Sequence, residues 1–149
     1  TIHHAGVVLS KDDIAFHPFY GKNPYVDIFS NVYISNIRNT SAVTAACSMV
    51  SRKKFEKVGG FNEELVITYN DVDLCLKLLD KGYKNVYNPY VELYHHESMS
   101  VGKINTSDRD NQELIRATEY MKKRWAEYLA RDPYYNDNFS LKNGGYTLK

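Results

Sequence analysis

The run NDVDLCLKLLDKGY at residues 70–83 constrains this chain more than any other. Val72, Cys75, Leu76 and Leu79 recur at i, i+3, i+4 and i+7. That spacing predicts a helix over Asp71–Lys81 with one apolar stripe that must lie on a core. Gly82 is its natural stop. Two strands are expected beyond it, Tyr83–Tyr87 and Tyr90–His95, divided by the turn pair Asn88-Pro89. The second strand delivers His95 and His96 beside Glu97. A helix start bearing Asp71 and Asp73, met by a strand end bearing two imidazoles, gathers groups that move protons or bind divalent cations. The leading reading is therefore an enzyme site.

The rest of the chain supplies a scaffold for it. Ile2–Leu9 reads as a strand. Lys11–Asn39 is irregular, rich in Pro, Gly, Asn and aromatics (HPFYGKNPY among them), and long enough to be functional or mobile. Ser41–Val50 is uncharged, small and β-branched, the pattern of a buried strand. Ser51 can cap a short helix, Arg52–Val58, that ends at Gly59 and Gly60. A third helix is expected over Asp108–Ala130, capped by Ser107, with Asp108, Asp110 and Glu113 in its positive first turn. Leu114, Ala117, Met121, Trp125 and Tyr128 would form its buried face. Asp132-Pro133 ends it, and 132–149 should lie over the surface as a tail. This is one α/β unit over 1–149. It opens at Thr1 inside an apolar run, as an excised fragment of a longer polypeptide would.

Composition excludes several classes. The formal net charge is +1, which leaves no basic excess for nucleic acid. No apolar run approaches the ~20 residues of a membrane span, and no signal peptide is expected. Cys47 and Cys75 sit in apolar contexts and read as buried free thiols in a reducing compartment. No CxxC or Cys/His cluster suggests structural zinc.

Each candidate has a plainer alternative. Asp71 and Asp73, at i and i+2, point about 200° apart on a helix and cannot share one face. Asp71, or Asn70 before it, can be a helix cap whose carboxylate merely satisfies backbone N–H groups. Asp73 can be a solvated or ion-paired residue. His95 and His96, neighbours on a strand, face opposite sides, so at most one enters a given site. Imidazole with oxygen ligands would suit Mg²⁺ or Mn²⁺, and a structural histidine is the alternative. Thr44 and Cys47 can be packing residues of their strand. Tyr134 and Tyr135 could stack on a sugar ring. No nucleophile elbow supports Ser/His/Asp catalysis. A zinc hydrolase lacks its H-x-x-H or H-E-x-x-H spacing.

The order SAVTAAC, RKKFEKVGGFNEEL, YNDVDLCLKLLDKGYKNVYNPYVELYHHESMS and DPYYNDNFSL, with IHHAGVVL before them, resembles the C-terminal half of family 2 glycosyltransferases that build bacterial surface polysaccharides. The resemblance covers nearly the whole chain. It implies the C-terminal, acceptor-side part of a GT-A fold, a mixed sheet flanked by helices, whose nucleotide-binding first half with its Asp-x-Asp metal motif has no counterpart here. Asp71-Val72-Asp73 has the letters of that motif but stands inside the acceptor-half motif.

Carried over residue by residue, the resemblance gives Asp71 the role of general base in an inverting transfer. Thr44, Asn70 and Asp73 fall to the acceptor. Asn70 replaces a Glu common in relatives, and Ala45 replaces a Gly. His95, or His96 in its place, is a Mg²⁺ or Mn²⁺ ligand, with Ser100 completing the H-x-x-x-x-S pattern. Val101-Gly102 stands where relatives have Arg-Gly, so Lys103 or Arg109 would have to hold the diphosphate. The implied partners are a nucleotide-sugar donor, bound mainly through the missing N-terminal half, and a glycan acceptor. The implied location is cytoplasmic, with the full-length protein at the inner face of the membrane. A fragment with an unpaired sheet edge is expected to self-associate. A non-catalytic carbohydrate-binding or assembly module that keeps the half-fold is the competing expectation.

Overall fold

The computed structural model describes residues 1–23, 32–96, 108–142 and 144–149. Its short strands pair as three antiparallel ladders. β1 (Val8–Ser10) pairs with β2 (Ile14–Phe16), with Val8 opposite Phe16. β3 (Arg38–Thr40) pairs with β4 (Asn85–Tyr87), with Arg38 opposite Tyr87. β5 (Phe139–Ser140) pairs with β6 (Thr147–Leu148). The mixed sheet implied by the resemblance is not among the described residues. They show a small α/β arrangement of strand pairs and helices instead.

The described helices include α1 (Arg52–Lys57), α2 (Asn70–Asp80), α3 (Asp108–Arg124) and α4 (Ala126–Ala130). Ser51 caps α1, its Oγ accepting from Lys54 N at 3.4 Å. The apolar spacing of 70–83 gives the expected helix, and Val72, Cys75 and Leu76 are buried in the main core with Leu79 packed against it. That helix stops at Gly82, where Gly82 N donates to Leu79 O and Tyr83 N to Leu78 O. The third helix, expected as continuous, breaks at Trp125 into α3 and α4. Ala117, Met121 and Trp125 are buried on it, whereas Leu114 is 45% exposed. Ser107, its expected cap, lies outside the described residues.

Strand β1 explains how the core is divided. Val7 and Leu9 enter one cluster with Val72, Leu76, Met121 and Trp125. Val8, between them, enters a second with Phe19 and Tyr146. Alternation along a strand sends neighbours to opposite faces, and here both faces are covered. Most described residues of 132–149 are exposed or half-buried, but Asp132, Gly145 and Tyr146 are buried. Tyr146 is buried, its ring 5.0 Å from that of Phe19 and 4.9 Å from that of Tyr135.

Two further expectations fail. Ser41–Val50 is not one buried strand. Ser41 and Ala42 are buried, but Ala45–Cys47 form an exposed 3-10 turn that Thr44 caps, Oγ1 accepting from Ala46 N at 3.3 Å. Small uncharged residues suit a tight turn as well as a buried strand. Cys47 is therefore exposed, while Cys75 is buried and both are free. Tyr90–His95, expected as a strand, joins no ladder among the described residues and is exposed.

Buried polar residues tie the pieces together. Asp132 accepts from Leu9 N at 2.8 Å, Ser41 Oγ at 2.5 Å and Tyr134 N at 2.8 Å. Asn85 Nδ2 donates to Ser41 O at 2.9 Å and Cys75 O at 3.0 Å. Each satisfies backbone groups that would be costly to bury alone. At Gly6, φ is +84°, and a Cβ would stand 2.9 Å from Thr40 Oγ1, so only glycine fits. No helix among the described residues is long and apolar enough to cross a membrane.

Candidate functional site

Asp71 occupies the first turn of α2, just after Tyr69, which enters the helix in the left-handed region at φ 61°. A left-handed non-glycine residue is uncommon and costs roughly 1–3 kcal/mol, so the packing around it must hold it there. Tyr69 packs against the main core. The result aims the carboxylate of Asp71 at the 3-10 turn. Oδ2 accepts from Ala45 N at 3.0 Å and Oδ1 from Val72 N at 2.8 Å. Tyr69, not Asn70 or Asp71, is the capping position, and it makes no side-chain cap bond. Asp71 nonetheless binds backbone donors, one within its own helix and one across to residues 44–47. Two bonds fix the direction of the carboxylate, and each oxygen keeps a lone pair.

A groove of about 270 Å³ opens beside it. Asp71, Asn70, Thr68 and His17 supply polar walls, and Phe16 and Ile67 apolar ones. Thr44 is not part of this wall, but its turn carries the N–H that holds Asp71.

The histidine His17 went unnoticed in the sequence, and so did His3 and His4. Their rings gather: His4 and His17 centroids are 5.1 Å apart, His3 and His17 5.9 Å, and His3 and His95 4.5 Å. His4 Nδ1 and His17 Nδ1 are hydrogen-bonded at 3.0 Å. Burial, then the charges of His17, His3 and Arg38, push the His4 imidazole down to about 3. Burial and His3 lower His17 as well, and the Asp71 carboxylate partly opposes them. The signal available in the sequence was the His3-His4 doublet together with His17 in an otherwise apolar and aromatic context.

The other residues singled out in the sequence are placed as follows. Asp73 is wholly buried, 0% exposed. Oδ1 accepts from Trp125 Nε1 at 2.8 Å and Tyr120 Oη at 3.3 Å. Oδ2 meets Lys77 Nζ at 3.2 Å, an ionic contact rather than an aligned hydrogen bond. Asp73 is thus ion-paired and offers an acceptor no surface. His95 and His96 are both exposed. The His95 ring lies 4.5 Å from that of His3, tilted by 47°, on the side of the other imidazoles. Glu97, Ser100 and Lys103 lie outside the described residues, as does the side chain of Arg109. Tyr134 and Tyr135 are half-buried, and Tyr135 Oη is engaged by Ser140 O and Tyr146 N, each at 2.6 Å. No group of three or more His, Cys, Asp or Glu among the described residues is arranged to hold a metal ion.

No family model matches the chain, and no solved structure does. It is similar to parts of larger proteins. It is 40% identical to uncharacterized protein y4gI of Sinorhizobium fredii over 149 residues, 99% of this chain and 16% of that protein. It is 32% identical to the O-antigen biosynthesis protein RfbC of Myxococcus xanthus over 151 residues, 95% of this chain and 11% of that protein. It is 32% identical to an N-acetylglucosaminyl-diphospho-decaprenol L-rhamnosyltransferase of Mycobacterium tuberculosis over 87 residues, 58% of this chain and 28% of that protein. The chain spans less than a fifth of the length of the first two.

Proposed function

We propose that this chain is the acceptor-side part of a family 2-like, GT-A glycosyltransferase that moves a sugar from a nucleotide-sugar donor onto a growing surface glycan, working at the cytoplasmic face of the membrane. The observation that carries the reading is the Asp71 carboxylate, aimed by two backbone N–H groups at the edge of an open groove. The names of two relatives, one for O-antigen biosynthesis and one for rhamnosyl transfer, support it.

In an inverting transfer, Asp71 takes the proton from the acceptor hydroxyl as that oxygen attacks the anomeric carbon. The bond from that carbon to the diphosphate breaks on the opposite side, and the nucleoside diphosphate leaves with the electron pair. Asn70, beside Asp71 on the groove wall, is placed to bind the acceptor. A divalent cation, Mg²⁺ or Mn²⁺, would neutralise the departing diphosphate. His95 or His96 would furnish one ligand at most. Lys103 and Arg109 are the cations assigned to the diphosphate, and Thr44 the neighbour that shapes the turn facing Asp71. Exposed Tyr90, Val91, Leu93 and Tyr94 form an apolar run suited to self-association of the isolated chain.

The test is Asp71→Asn in the whole polypeptide that carries this chain. Sugar transfer should fall by roughly 10²–10⁴-fold, the usual worth of a general base, with circular dichroism unchanged. A variant that transfers at the wild-type rate removes Asp71 from the chemistry.

A further inference from the structure

The bonds around His4 determine where the protons of two imidazoles sit. Gly6 N–H, which can only donate, reaches His4 Nε2 at 3.2 Å. That nitrogen therefore accepts, and a neutral His4 carries its proton on Nδ1. His4 Nδ1 is the atom bonded to His17 Nδ1 at 3.0 Å, so His4 donates and His17 Nδ1 accepts. The reverse direction would leave His4 with no proton on either nitrogen, an imidazolate, which an imidazole forms only far above neutral pH. His17 is then left with its one proton on Nε2. Burial keeps His4 neutral at ordinary pH, so the arrangement persists there.

Resting on the transferase reading above, we propose that His4 is a positioning residue that locks His17 as a hydrogen-bond donor through Nε2, and that His17 uses this donor to hold a hydroxyl oxygen of the sugar acceptor beside Asp71. His17 and Asp71 line the same groove. Asp71, as a carboxylate, only accepts, and His17 Nε2–H only donates. A hydroxyl needs both kinds of partner, an acceptor for its proton and a donor for its lone pair. The pair of side chains meets that need from two walls of one groove. The same tautomer excludes His17 Nε2 as a base and as a cation ligand, because its lone pair is replaced by a proton. Among the described residues, the charged and titratable groups around the two imidazoles include His3, Arg38, Asp71 and Tyr87.

Long-range ¹H–¹⁵N correlation spectra of this chain near neutral pH read the tautomers directly. The expected pattern is a protonated Nδ1 in His4 and a protonated Nε2 in His17, with His17 relaxing to a tautomer mixture in His4→Ala. A protonated Nδ1 in wild-type His17, or averaged tautomers there, overturns the relay. The acceptor role is read in the whole polypeptide. His17→Ala should raise the acceptor KM about tenfold, the loss of one neutral hydrogen bond, and leave the pH profile of kcat in place. His17→Gln, which keeps a donor near the Nε2 position, and His4→Asn, which keeps one near Nδ1, should restore most of the affinity. An unchanged KM in His17→Ala, or loss of the pH-dependent limb of kcat, overturns the role. If the wild-type polypeptide transfers no sugar, the transferase reading and the acceptor role fall together, while the spectra still decide the His4–His17 relay.

Discussion

Asp73 Oδ1 accepts a 2.8 Å hydrogen bond from Trp125 Nε1, across the contact between α2 and the break that separates α3 from α4. A carboxylate with no exposure is tolerated because the indole, the Tyr120 hydroxyl and the Lys77 ammonium surround it. Trp125 is itself 4% exposed, so neither partner has water to turn to.

That relationship predicts stability, not catalysis. Asp73→Ala should cost about 3–5 kcal/mol, the usual penalty for leaving one side of a buried pair uncompensated. Trp125→Phe should cost less, about 1–3 kcal/mol, as the carboxylate loses a donor while the ring volume is mostly kept. Urea unfolding of the two variants and of the double variant measures both terms. Strict additivity would show that the 2.8 Å bond contributes nothing.

Acid should loosen the fold through His4. Its folded-state value lies near 3, against 6.5 for the free side chain. Between those limits the unfolded chain binds a proton that the folded chain refuses, so stability rises with pH across that window and is level above 6.5 with respect to this group. His4→Asn should flatten the rise. Unfolding free energies measured at intervals from acid to neutral pH check it, and identical slopes in the two proteins would refute it.

The two thiols should behave differently. Cys47 is exposed on the 3-10 turn, and Cys75 is buried with its thiol pushed up to about 12 by burial. A thiolate reagent at neutral pH should label Cys47 promptly and Cys75 only after denaturant is added. Equal labelling rates in the native protein would contradict the placement.

The metal assignment separates the histidine pair. His95→Ala and His96→Ala in the whole polypeptide should differ, and one, expected to be His95, should raise the Mn²⁺ or Mg²⁺ concentration needed for transfer. If both variants keep the wild-type metal dependence, neither side chain is a ligand.

The sequence made some of this legible for physical reasons that differ from element to element. Helix α2 was readable because its 3–4 apolar spacing has no other stable use, and Gly82 marks its end. Asp71 was readable as a candidate because a carboxylate in a first turn is either a cap or a working group, and the structure shows it holding backbone donors at a groove edge. Asp73 looked equally polar, yet only the approach of Trp125, 52 residues away, makes it internal. The same holds for His4 and His17, whose bond joins residues 13 apart through a turn that local pattern does not encode. The burial of Tyr146 within 132–149 is not legible in the sequence because tyrosines suit surfaces and cores alike. What places Tyr146 inside is Phe19, at the far end of the chain.

Asp132 carries a consequence for the order in which the molecule can be completed. It bonds Leu9 N across 123 residues and Ser41 Oγ across 91. On the ribosome, where synthesis runs at about 5–20 residues per second, β1 waits several seconds for its fastening to be made. Until then the Leu9 amide and the Ser41 hydroxyl lack their Asp132 partner, and Leu9 lacks the part of its cluster that Met121, Trp125 and Leu129 supply. Strand β1 is therefore secured late, and during that interval it is open to capture by a chaperone or by another nascent chain.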